Sequence, residues 1–526
     1  MSRPRAALAA AMLACTVSAQ AAPEGPLPRI YFEAIADGSS RFGGDGGRFT
    51  ALPVAPVMDG EAVYFVGVRD DGRQGIYRNI RGVIESLVDT RTPIPHGLGN
   101  FTEFPDPPMA ADGRLVFRAL GGDGQQGLYL LADGLLRRIA DMSTAMPNSD
   151  KRFAFIKRPA FDGRQVVFLG RSGKSGTPND SKLQGIYRYD LERGTIEPVA
   201  DWTMQVPGRD VRFGKMDDTS TGRGRAVVTA YGTDDRSGIY VHGGDGLALL
   251  ADTSTTLPGS PGEAFPGFND AAADRSFETD NVAFRVAPEK SAWNGVYAWI
   301  DGTLHAVATV QTEAAGGAEN FIRFRSPNVY HDRVFFLGYA SSGHEGIYAW
   351  RNGKRFPVAH RNLELGGKPA KHFSLSQEAA GARGIAFRVH FEDGTEGIYL
   401  AHLRDEAGRV IISDTLHGTS LGNVQGGRFV EGGGWTVTAD NDRIVWALPP
   451  MPPRGMVEVD IRNFDPRTQL TAEKNIFMGL WGTLFQNHER LGLPDTDNWE
   501  IRVGKAHPQF KVEYHARGFG NAVEWV

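Results

Sequence analysis

Seven copies of one tripeptide, a glycine followed by an aliphatic residue and a tyrosine, divide most of this chain into units of similar length. They are Gly75-Ile76-Tyr77, Gly127-Leu128-Tyr129, Gly185-Ile186-Tyr187, Gly238-Ile239-Tyr240, Gly295-Val296-Tyr297, Gly346-Ile347-Tyr348 and Gly397-Ile398-Tyr399. Successive glycines stand 52, 58, 53, 57, 51 and 51 residues apart. This is the signature of a repeat architecture, with a period slightly above the roughly 40–50 residues of propeller blades.

About ten residues before each tripeptide an apolar run ends in an aromatic, as in Val63-Tyr64-Phe65, Val166-Val167-Phe168 and Val334-Phe335-Phe336; only the fourth unit departs, with Val227-Val228-Thr229. Turn formers such as Gly122-Asp123-Gly124 separate the two marks, so the pair reads as a hairpin. A third strand follows the tyrosine and ends at an acidic residue, as in Glu85-Ser86-Leu87-Val88-Asp89. A fourth begins at Phe49, Phe101, Phe153, Phe213, Phe265, Phe321 and Phe373. Each unit thus has strands A (from the phenylalanine), B, C (from the tyrosine) and D. Four antiparallel strands repeated around an axis form a β-propeller, whose closure removes long exposed edges.

In the second unit Pro107-Pro108-Met109-Ala110-Ala111-Asp112-Gly113 leads to Phe117. This order of proline-containing strand, Asp-Gly turn and aromatic strand resembles the propeller repeats of the TolB and WD40-like families. The resemblance runs from about residue 30 to about residue 405 and implies a fold; propellers host many unrelated functions. Closure can be read from a count: A, B and C occur seven times, whereas D-like segments number eight because Glu33-Ala34-Ile35-Ala36-Asp37 matches Glu197-Pro198-Val199-Ala200-Asp201. The spare copy, Ile30 to Asp37, is expected to supply the outer strand of the blade built from residues 373 to 402.

A basic start with Arg3 and Arg5, an apolar run from Ala6 to Ala14 and Ala19-Gln20-Ala21 read as a secretory signal peptide over 1–21. Cys15, the single cysteine, lies inside it, so no disulfide is expected. A second reading takes Met12-Leu13-Ala14-Cys15 as a lipobox and Cys15 as a lipid tether. No later apolar stretch reaches the ~20 residues of a membrane helix. A periplasmic or extracellular protein is expected. Without Arg3 and Arg5 the chain carries 55 basic and 62 acidic residues, which argues against a nucleic-acid partner.

The repeat occupies 29–405, the expected seven-bladed β-propeller, and the texture changes over 406–526. There Gly432-Gly433-Gly434-Trp435, Arg443-Ile444-Val445-Trp446 and Gly455-Met456-Val457-Glu458-Val459-Asp460 follow one another. This order resembles the opening of concanavalin A-like, laminin G-type jelly rolls. It implies an all-β protein with a smaller C-terminal β-sandwich, short or incomplete because the chain stops at Trp525-Val526, and a carbohydrate partner. Trp481 and Trp499, flanked by polar residues, are the candidates for stacking on sugar rings, although tryptophan also fills small cores.

With this strand order the D-to-A and B-to-C links share one face, and strand A lines the channel. The residue before each strand-A phenylalanine then forms a ring: Arg48, Asn100, Arg152, Arg212, Ala264, Asn320 and His372. Arg48, Arg152 and Arg212, with Arg323, Arg325 and His360 nearby, would suit an anionic polysaccharide, because guanidinium groups grip carboxylate and sulfate through paired donors. A solvated polar channel explains the same ring. His372 and His390, with Tyr339 and Arg388, are the candidate catalytic set, since proton abstraction beside a uronate carboxylate needs a base and charge neutralisation. No cofactor is expected. Calcium is the one ion with a candidate site, at the Asp495 and Asp497 turn. The leading expectation is an exported polysaccharide-binding protein; the alternatives are a lyase on uronate glycans and a scaffold for protein partners.

Overall fold

A computed structural model of the chain describes residues 29–40, 47–80, 82–173, 183–286, 288–314 and 319–404, parts of 416–445, and the backbone of 475–481, 498–504, 511–516 and 520–525. The chain divides into two compact units, Met1–Ala407 and Gly408–Val526. The expected signal peptide and Cys15 lie outside the described residues.

The first unit is a seven-bladed β-propeller. Blade 3 shows the plan: A Phe155–Phe161, B Gln165–Arg171, C Gln184–Asp190 and D Thr195–Asp201, paired in that order and all antiparallel. Blade 4 (Phe213–Gly222, Arg225–Gly232, Ser237–Gly243, Gly246–Asp252) and blade 6 (Phe321–Tyr330, Arg333–Ala340, Glu345–Arg351, Lys354–His360) repeat it. Blade 7 lacks a D strand of its own. Arg29–Asp37 pairs antiparallel with its strand C, Glu396–Arg404, Ile30 opposite Leu403 and Asp37 opposite Gly397. The spare D segment closes the ring, as the strand count requires.

The aromatic marks meet inside the blades, the fourth having two of the three because Thr229 replaces its strand-B aromatic. In six blades the strand-A phenylalanine meets the strand-C tyrosine edge-on, with centroids between 4.8 and 5.2 Å apart. The strand-B aromatic stacks on that tyrosine, as Phe65 on Tyr77 at 5.7 Å and Phe336 on Tyr348 at 5.6 Å. Each such contact adds about 0.5–1.5 kcal/mol to the burial of the rings. The glycine two residues before the tyrosine is required by space: a Cβ on Gly295 would lie 2.5 Å from the Ala308 carbonyl oxygen.

The acidic residue closing strand D is a turn former. The Oδ1 atoms of Asp37, Asp89, Asp141, Asp201 and Asp252 accept the backbone N–H two residues on, from Ser39, Arg91, Ser143, Thr203 and Ser254, at 2.8–2.9 Å.

In the second unit the described backbone forms a four-stranded antiparallel meander, Asn475–Trp481, Asn498–Gly504, Lys511–Ala516 and Gly520–Trp525, together with two short two-stranded ladders. Among the described residues the second unit is all-β, as expected.

Candidate functional site

The axis of the ring holds a charged layer. Counting from each strand-A phenylalanine, the fourth and fifth residues are Pro53-Val54, Pro105-Asp106, Lys157-Arg158, Asp217-Asp218, Asn269-Asp270, Arg325-Ser326 and Gln377-Glu378. Strand A bulges at this level in blades 3 to 6, and bulges re-aim side chains beside functional sites. Arg158, itself in the left-handed region at φ 53°, places Nη1 2.8 Å from Asp218 Oδ1 across the blade 3–4 seam. Gln377 of blade 7 donates to the other oxygen of Asp218. Arg285 Nε donates to Asp270 Oδ2 at 2.9 Å, and Glu289 joins Arg285 (3.8 Å) to Arg325 (2.9 Å). With its amide nitrogen facing Asp217, Asn269 links Asp217 Oδ2 and Arg285 Nη2, each at 3.0 Å. Burial pushes the Asp218 carboxyl up to about 6 against the pull of Arg158.

Nearer the D-to-A face, three blades carry a cation opposite an aromatic at the same cross-strand position. In blade 3 the partners are Phe155 and Arg171, in blade 4 Lys215 and Tyr231, in blade 6 Arg323 and Tyr339. Lys215 Nζ lies 4.5 Å from the Tyr231 ring centre and Arg323 Cζ 4.1 Å from that of Tyr339, distances at which a cation is held by the ring face. Two of the pairs reach the next blade: the Tyr231 hydroxyl points at the Phe268 carbonyl of blade 5, 3.5 Å away, and Tyr339 packs on the apolar cluster shared by blades 6 and 7.

The histidine candidates converge on the blade 6–7 seam. His372 and His390 are cross-strand partners. His372 Nδ1 lies 2.9 Å from Glu345 Oε2, His390 Nδ1 lies 3.4 Å from Glu396 Oε1, and Arg388 Nη2 donates to that Oε1 at 2.6 Å. Tyr339 stands opposite Glu345 in the B–C ladder. Burial, helped by Arg388, keeps the His390 imidazole below its ordinary pKa, and burial with Glu345 raises the Tyr339 phenol. Both glutamates, however, occupy the position just before the repeat glycine, filled elsewhere by Gln74, Gln126, Gln184, Ser237 and Asn294. In most blades that side chain ties its blade to strand A of the next one, whereas Asn294 donates to the Val286 carbonyl of its own blade. Gln74 accepts from Phe104 N at 2.7 Å, Gln184 donates to the Gly214 carbonyl at 2.9 Å, Ser237 accepts from Phe268 N at 3.1 Å. Glu345 accepts from Phe373 N at 2.7 Å and Glu396 from Leu52 N at 2.8 Å. The carboxylates beside the histidines are therefore members of a structural series.

The other candidates are spread around the rim. Arg48, Arg152 and Arg212 are exposed at the starts of the A segments; isolated bridges pair Arg152 with Ala145 and Arg212 with Gln205, and Arg152 also donates to the Ser143 carbonyl. His360 is exposed, with Nδ1 2.9 Å from the Arg361 carbonyl oxygen. Trp481 and Trp499 lie near paired ends of two strands, Trp481 opposite Asn498 and Leu480 opposite Trp499. Asp495 and Asp497 fall outside the described residues. Among the described residues no three His, Cys, Asp or Glu side chains gather as metal ligands, and no helix is long and apolar enough to cross a membrane. Two sets were overlooked in the sequence: the axial residues four and five after the phenylalanine, and the polar residue before the glycine. Aligning the seven phenylalanines and seven glycines brings both into view.

The fold and this mouth define a seven-bladed repeat propeller with a charged axial layer. Residues 32–359, more than half of the chain, match a family described as "Family of unknown function (DUF7453)", and the protein belongs to that family. The comparison with curated proteins found no match. Among solved structures the chain is similar to the β-propeller domain of the Trilobed protease from Pyrococcus furiosus, at 12% identity over 69% of this chain and 100% of that one, with a TM-score of 0.40. It is also similar to an acylaminoacyl peptidase from Pyrococcus horikoshii (12% identity, 66% and 50% covered, TM-score 0.39) and to an oligogalacturonate lyase in complex with manganese (13%, 73% and 98%, 0.41). At these values none of the three carries an argument about activity.

Proposed function

We propose that the protein is an exported polysaccharide-binding protein that holds an acidic glycan at the D-to-A mouth of the propeller. The observation that carries this reading is the recurrence of a cation opposite an aromatic in blades 3, 4 and 6. A pyranose ring presents an apolar face that stacks on an aromatic, and a uronate or sulfated sugar adds an anion for the neighbouring guanidinium or ammonium group. Three such positions around one rim suit a polymer better than a single small molecule. The C-terminal unit, read as a carbohydrate-binding sandwich, would add a second contact to the same polymer.

Affinity electrophoresis in gels containing polygalacturonate, chondroitin sulfate or a neutral β-glucan tests this. Retardation by the acidic polymers alone is the expected result; equal mobility in all the gels removes the reading. A second reading, a lyase on acidic glycans, is favoured by the meeting of His372, His390 and Arg388. Absorbance from new unsaturated uronate ends during incubation with the same polymers separates catalysis from binding.

A further inference from the structure

Blade 3 contributes two cations to the mouth, Lys157 and Arg171, that form no direct ion pair among the described residues. Phe155 and Lys157 alternate on one face of strand A, and Arg171 stands directly opposite Phe155 on strand B. Lys157 and Arg171 are therefore diagonal neighbours on the same face, a spacing within reach of long side chains. Both are half-buried. The carboxylates that draw on them, Asp217 and Asp218, have nearer partners of their own. Asp218 is paired with Arg158 at 2.8 Å, and Asp217 is held by the Asn269 amide at 3.0 Å.

Three cations, Lys157, Arg158 and Arg171, thus face two carboxylates, and like charges on neighbouring strands repel. Burial, then Arg158 and Arg171, holds the Lys157 ammonium below its usual pKa, and burial, with a smaller push from Arg158, lowers Arg171 against the pull of Asp217. Arg171 Nε is buried with no acceptor. Other arginines with such an Nε use the rest of the guanidinium, as Arg78 does on Glu85, Arg355 on the Val307 carbonyl and Arg388 on Glu396. Among the described residues no hydrogen-bond acceptor is found for the Arg171 guanidinium, on which Asp217 acts only through space. A buried donor without an acceptor calls for a physical reason, and an oxyanion ligand supplies one.

We infer that Lys157 and Arg171 form a preformed oxyanion subsite that takes the acidic group of the glycan, a carboxylate or a sulfate ester, with the Phe155 ring as the floor for the sugar. Lys157 Nζ already lies 5.6 Å from the centre of that ring. The guanidinium fork supplies two parallel donors and the ammonium a third from the side, a set that suits an oxyanion and has nothing to offer a neutral hydroxyl beyond ordinary hydrogen bonds. The subsite deepens the glycan-binding reading and rests on it for the identity of the ligand, but not for the existence of the anion site.

The test uses the full-length protein with D-galacturonate and inorganic sulfate as separate probes, and D-galactose and chloride at matched ionic strength as controls. The melting temperature is expected to rise with galacturonate or sulfate and not with the controls, and galacturonate alone acting would assign the site to carboxylates. Lys157→Met and Arg171→Gln should weaken the effective probe at least ~10-fold, as expected for loss of a charge-assisted hydrogen bond, while Arg164→Gln, at an exposed position in the A-to-B link of the same blade, leaves it unchanged. Lys157→Met should also melt no lower than wild type without probe, because it removes a repulsion; this keeps the subsite testable if Arg171→Gln fails to fold. A shift that survives both blade 3 substitutions, or no shift with either probe, overturns the subsite even if acidic polymers still retard the protein. A shift lost in the variants, with no retardation by any polymer, keeps the subsite and removes the polysaccharide.

Discussion

Arg275 of blade 5 and Glu378 of blade 7 meet on the propeller axis, Nη1 to Oε2 at 3.3 Å, each side chain 2% exposed. Arg275 also donates to the Phe161 carbonyl of blade 3 and the Ala110 carbonyl of blade 2, both at 2.8 Å, while the Glu378 carbonyl accepts from Met58 N of blade 1 at 3.1 Å. Two residues thereby tie five blades together at the level of the A-to-B links.

Removing one partner leaves a buried charge uncompensated, which costs about 3–5 kcal/mol. Glu378→Ala is expected to show a loss of that size in equilibrium urea unfolding. Glu378→Ala with Arg275→Met should recover only part of it, because the Phe161 and Ala110 carbonyls then lose their donor.

The same carboxyl sets a pH dependence. Burial raises Glu378 to about 7, above its ordinary 4.5, with Arg275 pulling the other way, and Asp218 is raised to about 6 from 3.8. In this range the folded protein binds more protons than the unfolded chain, so stability falls as pH rises. The contribution is complete below about 4.5 and lost as pH passes about 7. Melting temperature measured from pH 5 to pH 8 should decline, and the decline should be shallower in Glu378→Gln.

The closing strand carries a polar clasp as well as a ladder. Glu33 Oε2 lies 2.7 Å from His402 Nε2 and also accepts from Arg383, which hold its carboxyl below the usual range. A chain beginning at residue 47 exposes the Glu396–Arg404 edge, and open edges recruit further strands. It should melt lower and elute as oligomers in size-exclusion chromatography. A monomer with unchanged melting temperature would show that the ring does not depend on its closing strand.

Gly295→Ala forces a methyl group against the Ala308 carbonyl and should cost about 1–3 kcal/mol. Gly244→Ala, where a Cβ meets nothing within 4 Å, should stay within about 0.5 kcal/mol. Urea midpoints of the two variants side by side check both.

The parts of this fold legible in the sequence are those that recur. Phe321, Phe336 and Tyr348 announce a blade because the same trio returns in six of the seven units, and the D-like run ending at Asp37 announces the closing strand because it is one copy too many. Arg275 has no such announcement: it lies in one A-to-B link, and its acceptors at Phe161 and Ala110 are 114 and 165 residues away. The axial charges were hidden for a related reason. Lys157, Asp217, Asn269, Arg325 and Gln377 share a position but no chemistry, since each answers its neighbours across the axis rather than its counterparts in the repeat. His372 and His390 were legible as a pair, whereas the bridging role of Glu345 emerges only beside Gln74 and Gln184.

The central claim is that the cation–aromatic pairs at the mouth hold an acidic glycan, and calorimetric titration of an oligogalacturonide into wild type and a Tyr231→Ala, Tyr339→Ala double variant tests it most directly. The account predicts saturable binding to wild type and at least ~10-fold weaker binding to the variant, from two lost ring contacts of about 1 kcal/mol each, with the variant still folded by circular dichroism. Equal affinity in the two proteins, or no heat with wild type, would contradict it.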